Sequence, residues 1–301
     1  MAVHENTSIP ASFHIWIEAA RPKTLPAAAA PVLMGCAMAW EAGFFHPLAA
    51  LCALVGALLI QIGTNYANDY FDFAKGTDTE ERLGPTRATA AGLVTPQQMK
   101  AATAVAFALA FAVGLYLIYR GGWPILLVGV LSILFGILYT GGPFPLGYIG
   151  VADIFVLIFF GPVAVGGTYY VQALELPWYV AVAGLAPGLL STAILTVNNL
   201  RDADGDRKSG KKTLAVRFGK GFSRAQYVAC IVLAAVGVPL VVCIGMGAHW
   251  PALAAAVVLP AALPHIRRVY TQEGRPLNAT LAGTGKLTLL FSVVFSIGWL
   301  L

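Results

Sequence analysis

The chain has 301 residues, of which 58 % are hydrophobic and only 11 % charged, with 19 Lys and Arg against 14 Asp and Glu. A soluble domain carries roughly a quarter charged residues, so together with a mean hydropathy of +0.75 this composition excludes an ordinary soluble fold and points to a membrane-spanning helix bundle. The opening segment MAVHENTSIP has neither a basic start nor an apolar core, so no cleavable signal peptide is expected.

A spanning helix needs about 20 apolar residues, and nine such runs are found in chain order. The first covers residues 13–40 and is interrupted at Arg21-Pro22-Lys23, Pro26 and Pro31. The second covers 47–69, the third 96–119 and the fourth 123–139. The fifth and sixth cover 149–173 and 177–200. A run from 225 to 266 is too long for one crossing, and GMGAHWP (245–251) divides it into the seventh and eighth. The ninth covers 282–301. Cys36, Cys52, Cys230 and Cys243 stand singly in apolar runs without CxxC spacing and read as core-filling thiols. The five histidines are isolated, and none is assigned to catalysis.

Charge orients the bundle. With the amino terminus in the cytoplasm and the carboxyl terminus outside, 18 of the 19 Lys and Arg residues fall on inside segments, and only Arg120 lies outside. Basic residues concentrate on the cytoplasmic side of membrane proteins, so the split supports both the orientation and the count of nine.

Two polar stretches interrupt this apolar pattern. NDYFDFAKGTDTEERLGPTR (68–87) and NNLRDADGDRKSGKK (198–212) together hold eight of the 14 acids. Both follow helices that run from outside to inside. Their leading asparagines, Asn68 and Asn198, are 130 positions apart, a pattern that resembles a parallel internal repeat: helices 1–4 and 5–8 plus a ninth, in one integral membrane domain. Asn68 with Asp72, Asn198 with Asp202, and Asp202 with Asp206 are spaced i,i+4, which puts each pair on one helical face. Acids at helix carboxyl ends are disfavoured by the macrodipole, a penalty that divalent cations between them reverse. Oxygen-only ligands without His or Cys suit Mg²⁺, which takes one or two carboxylates with phosphate oxygens and waters. The bases interleaved with the acids suit a diphosphate rather than a cation pathway.

These stretches resemble the UbiA superfamily of intramembrane aromatic prenyltransferases. Together with ARPKTLPAA (20–28) and YTGGPFPLGY (139–148), they resemble its 1,4-dihydroxy-2-naphthoate polyprenyltransferase branch, which serves menaquinone synthesis. The resemblance implies an all-α membrane fold of nine helices around a lipid-open central cavity, in the cell membrane with the active-site loops cytoplasmic. It implies Mg²⁺ as cofactor, a polyprenyl diphosphate and 1,4-dihydroxy-2-naphthoate as substrates, membrane lipid as surroundings and no nucleic-acid partner. Carried over by position, Asn68, Asp72, Asp202 and Asp206 become the core magnesium–diphosphate ligands, supported by Asp69, Asp78 and Asn198. Arg21, Lys75, Arg82, Arg87, Arg201 and Lys211 are expected to face the diphosphate or the naphthoate carboxylate. Tyr70, Phe71, Tyr139 and Tyr148 are candidates to face an allylic cation, with Tyr139 among the substrate contacts. Asp153, in GVADIF, stands where that branch is expected to carry a glutamate, and no role is assigned to it. Two other readings stay open: the same chemistry on hydroxybenzoate, homogentisate or a chlorin, and a secondary transporter. The transporter is disfavoured because the charges cluster at one membrane face and not at its middle.

Overall fold

The computed structural model describes residues 13–77 and 83–301, and among these every regular element is helical. Helix α1 (Phe13–Ala20) stops at Arg21, and a single 3₁₀ turn, Pro22–Thr24, leads into α2 (Leu25–Glu41). Then follow α3 (Pro47–Ala74), α4 (Pro96–Gly121), α5 (Trp123–Leu138) and the one-turn α6 (Leu146–Ile149). The second half holds α7 (Ala152–Ala173), α8 (Trp178–Lys208), α9 (Leu214–Met246), α10 (Trp250–Thr271) and α11 (Leu277–Leu300). Seven of these are long and apolar enough to cross a membrane: α3, α4 and α7 to α11. The shorter α2 and α5, of 17 and 16 residues, complete the nine rods expected from the sequence, among the described residues.

Local chemistry sets the helix ends. Thr95 and Gln98 form a reciprocal capping box ahead of α4, with Pro96 at its first position. His46 caps α3 by accepting from the Ala49 N–H at 3.3 Å, and Pro47 follows it. At the far end of α7, Arg120 donates to the carbonyls of Val171 and, at 3.0 Å, Gln172. These are terminal carbonyls with no helical partner, so the one base expected on the outside serves as a helix cap.

Two helices overrun the lengths expected from hydropathy, and that overrun builds the site. At about 1.5 Å per residue, the 28 residues of α3 span roughly 42 Å and the 31 of α8 roughly 46 Å, against a hydrocarbon layer of about 30 Å. Their polar ends, including Asn68 to Asp72 and Asn198 to Asp206, therefore continue as helix and do not fray into loop. The last helix also begins earlier than its apolar run, at Leu277 and not near 282.

The core is one-sided. Leu190 and Val197 of α8 pack with Tyr227 and Ile231 of α9, Phe291 and Phe295 of α11, and Met34 and Met38 of α2. In its most apolar stretch α8 is 72 % buried, whereas α3 is 17 % buried. Close approach in the packed half depends on missing side chains. A Cβ on Gly188 of α8 would lie 2.3 Å from the Leu157 carbonyl oxygen, and one on Gly184 would lie 2.8 Å from the Pro162 Cα. At this contact α7 opens into a π-turn, Phe159–Val163, around Pro162, with Gly161 at φ −116° and ψ −113°. The other half, α3 to α5, stands away from α8 and encloses a cavity.

Candidate active site

The cavity has a volume of about 730 Å³, within the roughly 300–1,000 Å³ of small-molecule sites. Its wall is apolar, with Ile60, Leu126 and Val130 beside a cluster of Phe135, Phe155 and Phe159. Its floor is polar and is made by the ends of α3 and α8.

On α3, Asn65, Asn68 and Asp72 follow one another at i+3 and i+4 and all line the cavity. The Thr140 hydroxyl donates to Asn68 Oδ1 at 2.8 Å. Asp72 is buried, paired through Oδ2 with Arg87, and accepts the Tyr148 hydroxyl on Oδ1 at 2.8 Å. On α8, Asn198, Asp202 and Asp206 line the facing side. Arg201 donates through Nε to Asp202 Oδ1 at 2.8 Å and through Nη2 to Asn198 Oδ1 at 2.9 Å. Lys211 Nζ lies 3.6 Å from Asp206 Oδ1.

The short α6 joins the two ends. Lys75 donates to the Thr140 and Gly142 carbonyls at 2.6 and 3.1 Å, which fixes α3 to the segment before α6. The Lys212 N–H donates to the Tyr148 carbonyl at 2.7 Å, and Arg217 donates to the Ile149 carbonyl at 2.8 Å, which fixes the chain after α8. The Tyr148 ring thus lies 5.0 Å from the Lys75 ammonium and 4.6 Å from that of Lys211, while its hydroxyl holds Asp72. One aromatic side chain touches both acid-bearing stretches.

Arg21 reaches the same floor through a break in the first helix. It adopts φ 55°, a left-handed conformation uncommon outside glycine. Asn65 Nδ2 donates to the Ala20 carbonyl at 2.9 Å and to Thr24 Oγ1 at 3.1 Å, and Thr24 Oγ1 donates to the Arg21 carbonyl at 2.9 Å. The break is held from both sides, and Arg21 lines the cavity.

Among the expected site residues, Asn68, Asp72, Asn198, Asp202, Asp206, Arg21, Arg87, Tyr139, Arg201 and Lys211 all line this one cavity. Asp69 does not. As the helical neighbour of Asn68 it points about 100° away, and its carboxylate accepts the N–H groups of Ala88 and Thr89 at 2.9 and 3.0 Å. Asp69 therefore sets the turn that delivers Arg87. Lys75 is likewise committed to the 140–142 carbonyls and lies outside the wall. Tyr70 packs against the cluster of Ala19, Ala88, Val94 and Met99, and Phe71 lies against Gly141, so neither ring faces the cavity. Asp78 and Arg82 fall outside the described residues. Asp153 is buried away from the cavity and accepts the Gln226 amide at 2.8 Å.

Sequence reasoning missed Asn278. From the first turn of α11 it accepts Arg201 Nη1 at 2.6 Å and donates to the Leu83 carbonyl at 2.8 Å. It clips the segment after α3 to the motif on α8. Among the described residues no three carboxylate, histidine or cysteine side chains gather into a cluster, and the cavity wall holds no His or Cys. Mg²⁺ needs neither, since one or two carboxylates with phosphate oxygens and waters complete its shell. The amide and carboxylate oxygens on the two helix ends fit it.

Residues 28–299 match the UbiA prenyltransferase family. The chain belongs to that family. It is 45 % identical to the 1,4-dihydroxy-2-naphthoate octaprenyltransferase of Escherichia coli over 72 % of each chain. It is 36 % identical to the protein of the same name in Haemophilus influenzae, over 95 % of this chain and 96 % of that one. The apo structure of a UbiA homolog from Aeropyrum pernix K1 shares the fold, with a TM-score of 0.68 at 15 % identity over 89 % of this chain and 97 % of that one. A UbiA homolog from Archaeoglobus fulgidus, solved bound to DMAPP and Mg²⁺, matches with a TM-score of 0.59 at 15 % identity over 92 % and 98 %. Family membership and the long apolar helices make this a multi-pass membrane protein.

Proposed function

We propose that this chain transfers a polyprenyl group from its diphosphate to 1,4-dihydroxy-2-naphthoate, releasing diphosphate and CO₂ and giving demethylmenaquinol for menaquinone synthesis. The carrying observation is the convergence of both acid-bearing helix ends, each with its own cation, on the floor of one apolar cavity. The relatives' names support the choice of acceptor. The protein acts as one integral domain of the cell membrane, its amino terminus and acid-rich face cytoplasmic and its carboxyl terminus outside. Within it, α2–α5 and α7–α10 are related repeats, since acid-bearing α3 and α8 take the second place in each.

Asp72 and Asn68 on one side, with Asp202, Asp206 and Asn198 on the other, would hold Mg²⁺. Bound there, the metal supplies Lewis-acid neutralisation of the diphosphate. Arg21, Arg87, Arg201 and Lys211 complement the remaining phosphate oxygens, so the allylic C–O bond breaks with its electron pair leaving on diphosphate. The apolar wall excludes water from the allylic cation, and the faces of Tyr139 and Tyr148 lie at the floor where that charge develops. The ring carbon bearing the acceptor's carboxylate then forms the new C–C bond. Cleavage of its bond to CO₂ returns the electron pair to the ring, so the protein need supply no strong base.

The test incubates the purified protein with a polyprenyl diphosphate, Mg²⁺ and, separately, 1,4-dihydroxy-2-naphthoate, 4-hydroxybenzoate or homogentisate, with products read by mass spectrometry. Demethylmenaquinol with one equivalent of CO₂ is expected. Retention of the carboxylate, or a product from hydroxybenzoate alone, overturns the reading.

A further inference from the structure

A second cavity, of about 430 Å³, lies between α10 and α11, lined by His265, Arg268, Ala279, Gly283, Lys286 and Leu287 among others. None of its three basic residues lines the larger cavity, so their charge does not serve the diphosphate floor. We propose that this groove is a binding site for the phosphate headgroup of an anionic phospholipid.

Lys286 is the first reason. It is exposed, nine positions after the start of an apolar helix, or roughly 13 Å along it at about 1.5 Å per residue. An ammonium facing lipid at that depth is costly unless its stem carries it toward an anion or the interface. Ordinary anchoring accounts for bases at helix ends, such as Arg268 three residues before the end of α10, but not for one this far along.

The groove also has a built floor. A Cβ on Gly283 would lie 2.0 Å from His265 Cε1, so the imidazole occupies space that only glycine leaves. That contact fixes the antiparallel register of the two helices. Arg268 then lies nearest the helix ends, with His265 below it and Lys286 deepest, a ladder of basic groups down one cleft.

Nothing among the described residues satisfies that ladder. Among the described residues, the side chains of His265, Arg268 and Lys286 make no hydrogen bond or ion pair. The acid of the adjoining loop, Glu273, is already taken by Lys220 at 2.8 Å and Arg224 at 3.1 Å. A phosphodiester supplies the missing anion at interface depth, and Leu287 and Leu290 line the groove where an acyl chain would run. Basic pockets between transmembrane helices on the basic side of a membrane protein bind anionic headgroups in this way. The clip from Asn278 to Leu83 and Arg201 puts the α10–α11 connection on that side.

The test is native mass spectrometry of the full, delipidated protein titrated in detergent with dioleoyl phosphatidylglycerol, dioleoyl phosphatidylcholine or inorganic phosphate. One phosphatidylglycerol is expected to bind at least about fivefold more tightly than phosphatidylcholine, with no displacement by millimolar phosphate. Arg268→Gln with Lys286→Gln is expected to weaken it about tenfold while prenyl transfer is unchanged. Lys286→Arg, which keeps the charge, is expected to retain binding, and Gly283→Ala, which displaces the imidazole, to lose it. Equal binding of the two lipids, equal binding by the double variant, or displacement by inorganic phosphate overturns the proposal. Should the double variant fail to fold, full lipid binding by Gly283→Ala would overturn it alone.

Discussion

Arg87 is buried against Asp72, so truncating Asp72 to alanine would remove a buried carboxylate that pairs with that cation, and would destabilise the fold as well as the chemistry. Asparagine preserves shape and an acceptor oxygen, which separates chemistry from folding. Asp72→Asn, Asp202→Asn and Asp206→Asn are each expected to lower prenyl transfer by at least about 100-fold while still folding, with a smaller drop in the unfolding midpoint than the alanine variants, and EDTA is expected to reproduce the loss of turnover without that drop. Full turnover in EDTA, or in two of the three variants, would end the magnesium–diphosphate reading. Asn278 acts one step removed. Asn278→Ala releases a hydrogen bond to charged Arg201, worth about 1.5–3 kcal/mol, and should raise the KM for prenyl diphosphate roughly tenfold or more. Asn278→Asp still accepts from Arg201 but cannot donate to Leu83, so it should recover most of that KM; an unchanged KM in the alanine variant refutes the clip. The acid pairs were legible because i,i+4 spacing fixes a face without any tertiary knowledge. Asn278 was not, because its partner is 77 positions away and no local pattern marks it. Asp69, expected to support the core ligands, shows the limit of reading by motif alone, since its helical phase turns it to the backbone of residues 88 and 89.

At the scale of helices, the order of the long apolar elements followed from apolar runs, since lipid permits few alternatives to a helix, whereas the short α1 and α6 did not. The ends of the long helices did not follow, because hydropathy stops where lipid stops while hydrogen bonding continues; α3 and α8 run on through their polar residues for this reason. A stripe of Thr280, Thr284, Thr288, Ser292 and Ser296 runs buried down α11 at intervals of four. The hydroxyls of Thr284 and Thr288 bond the carbonyls four residues back at 2.8 and 3.0 Å, whereas those of Thr280, Ser292 and Ser296 are buried without a hydrogen-bond partner among the described residues. The meeting of α7 with α8 is the most sensitive of these contacts. Gly188→Ala must displace the Leu157 carbonyl and is expected to cost about 1–3 kcal/mol, seen as a lower unfolding temperature in detergent. Gly114→Ala, where a Cβ meets nothing within 4 Å, should be neutral or stabilising by up to about 1 kcal/mol. Equal effects at both positions would show that the close approach is not limiting.

Over the whole molecule, a packed half built on α8 supports a hollow half built from α3 to α5, and the charged groups gather at one end of both. The opposite end carries Arg120, capping α7, and His249, whose ring stacks on Trp299 at 3.9 Å. Single cysteines placed at residue 76 and residue 248, in a background lacking the native four, should therefore label from opposite sides of sealed vesicles. Labelling of both from one side would mean that the bundle is threaded differently.

The gathering of every floor residue at one end also makes the reaction vectorial. On the proposed reading, magnesium, the departing diphosphate and the acceptor are all exchanged with a single aqueous compartment, while the lengthened quinol precursor stays in the bilayer. In sealed proteoliposomes with random insertion, an impermeant chelator added outside should silence only the molecules whose charged end faces outward. About half the turnover should survive when Mg²⁺ and acceptor are enclosed, and the remainder should vanish only when the vesicles are opened.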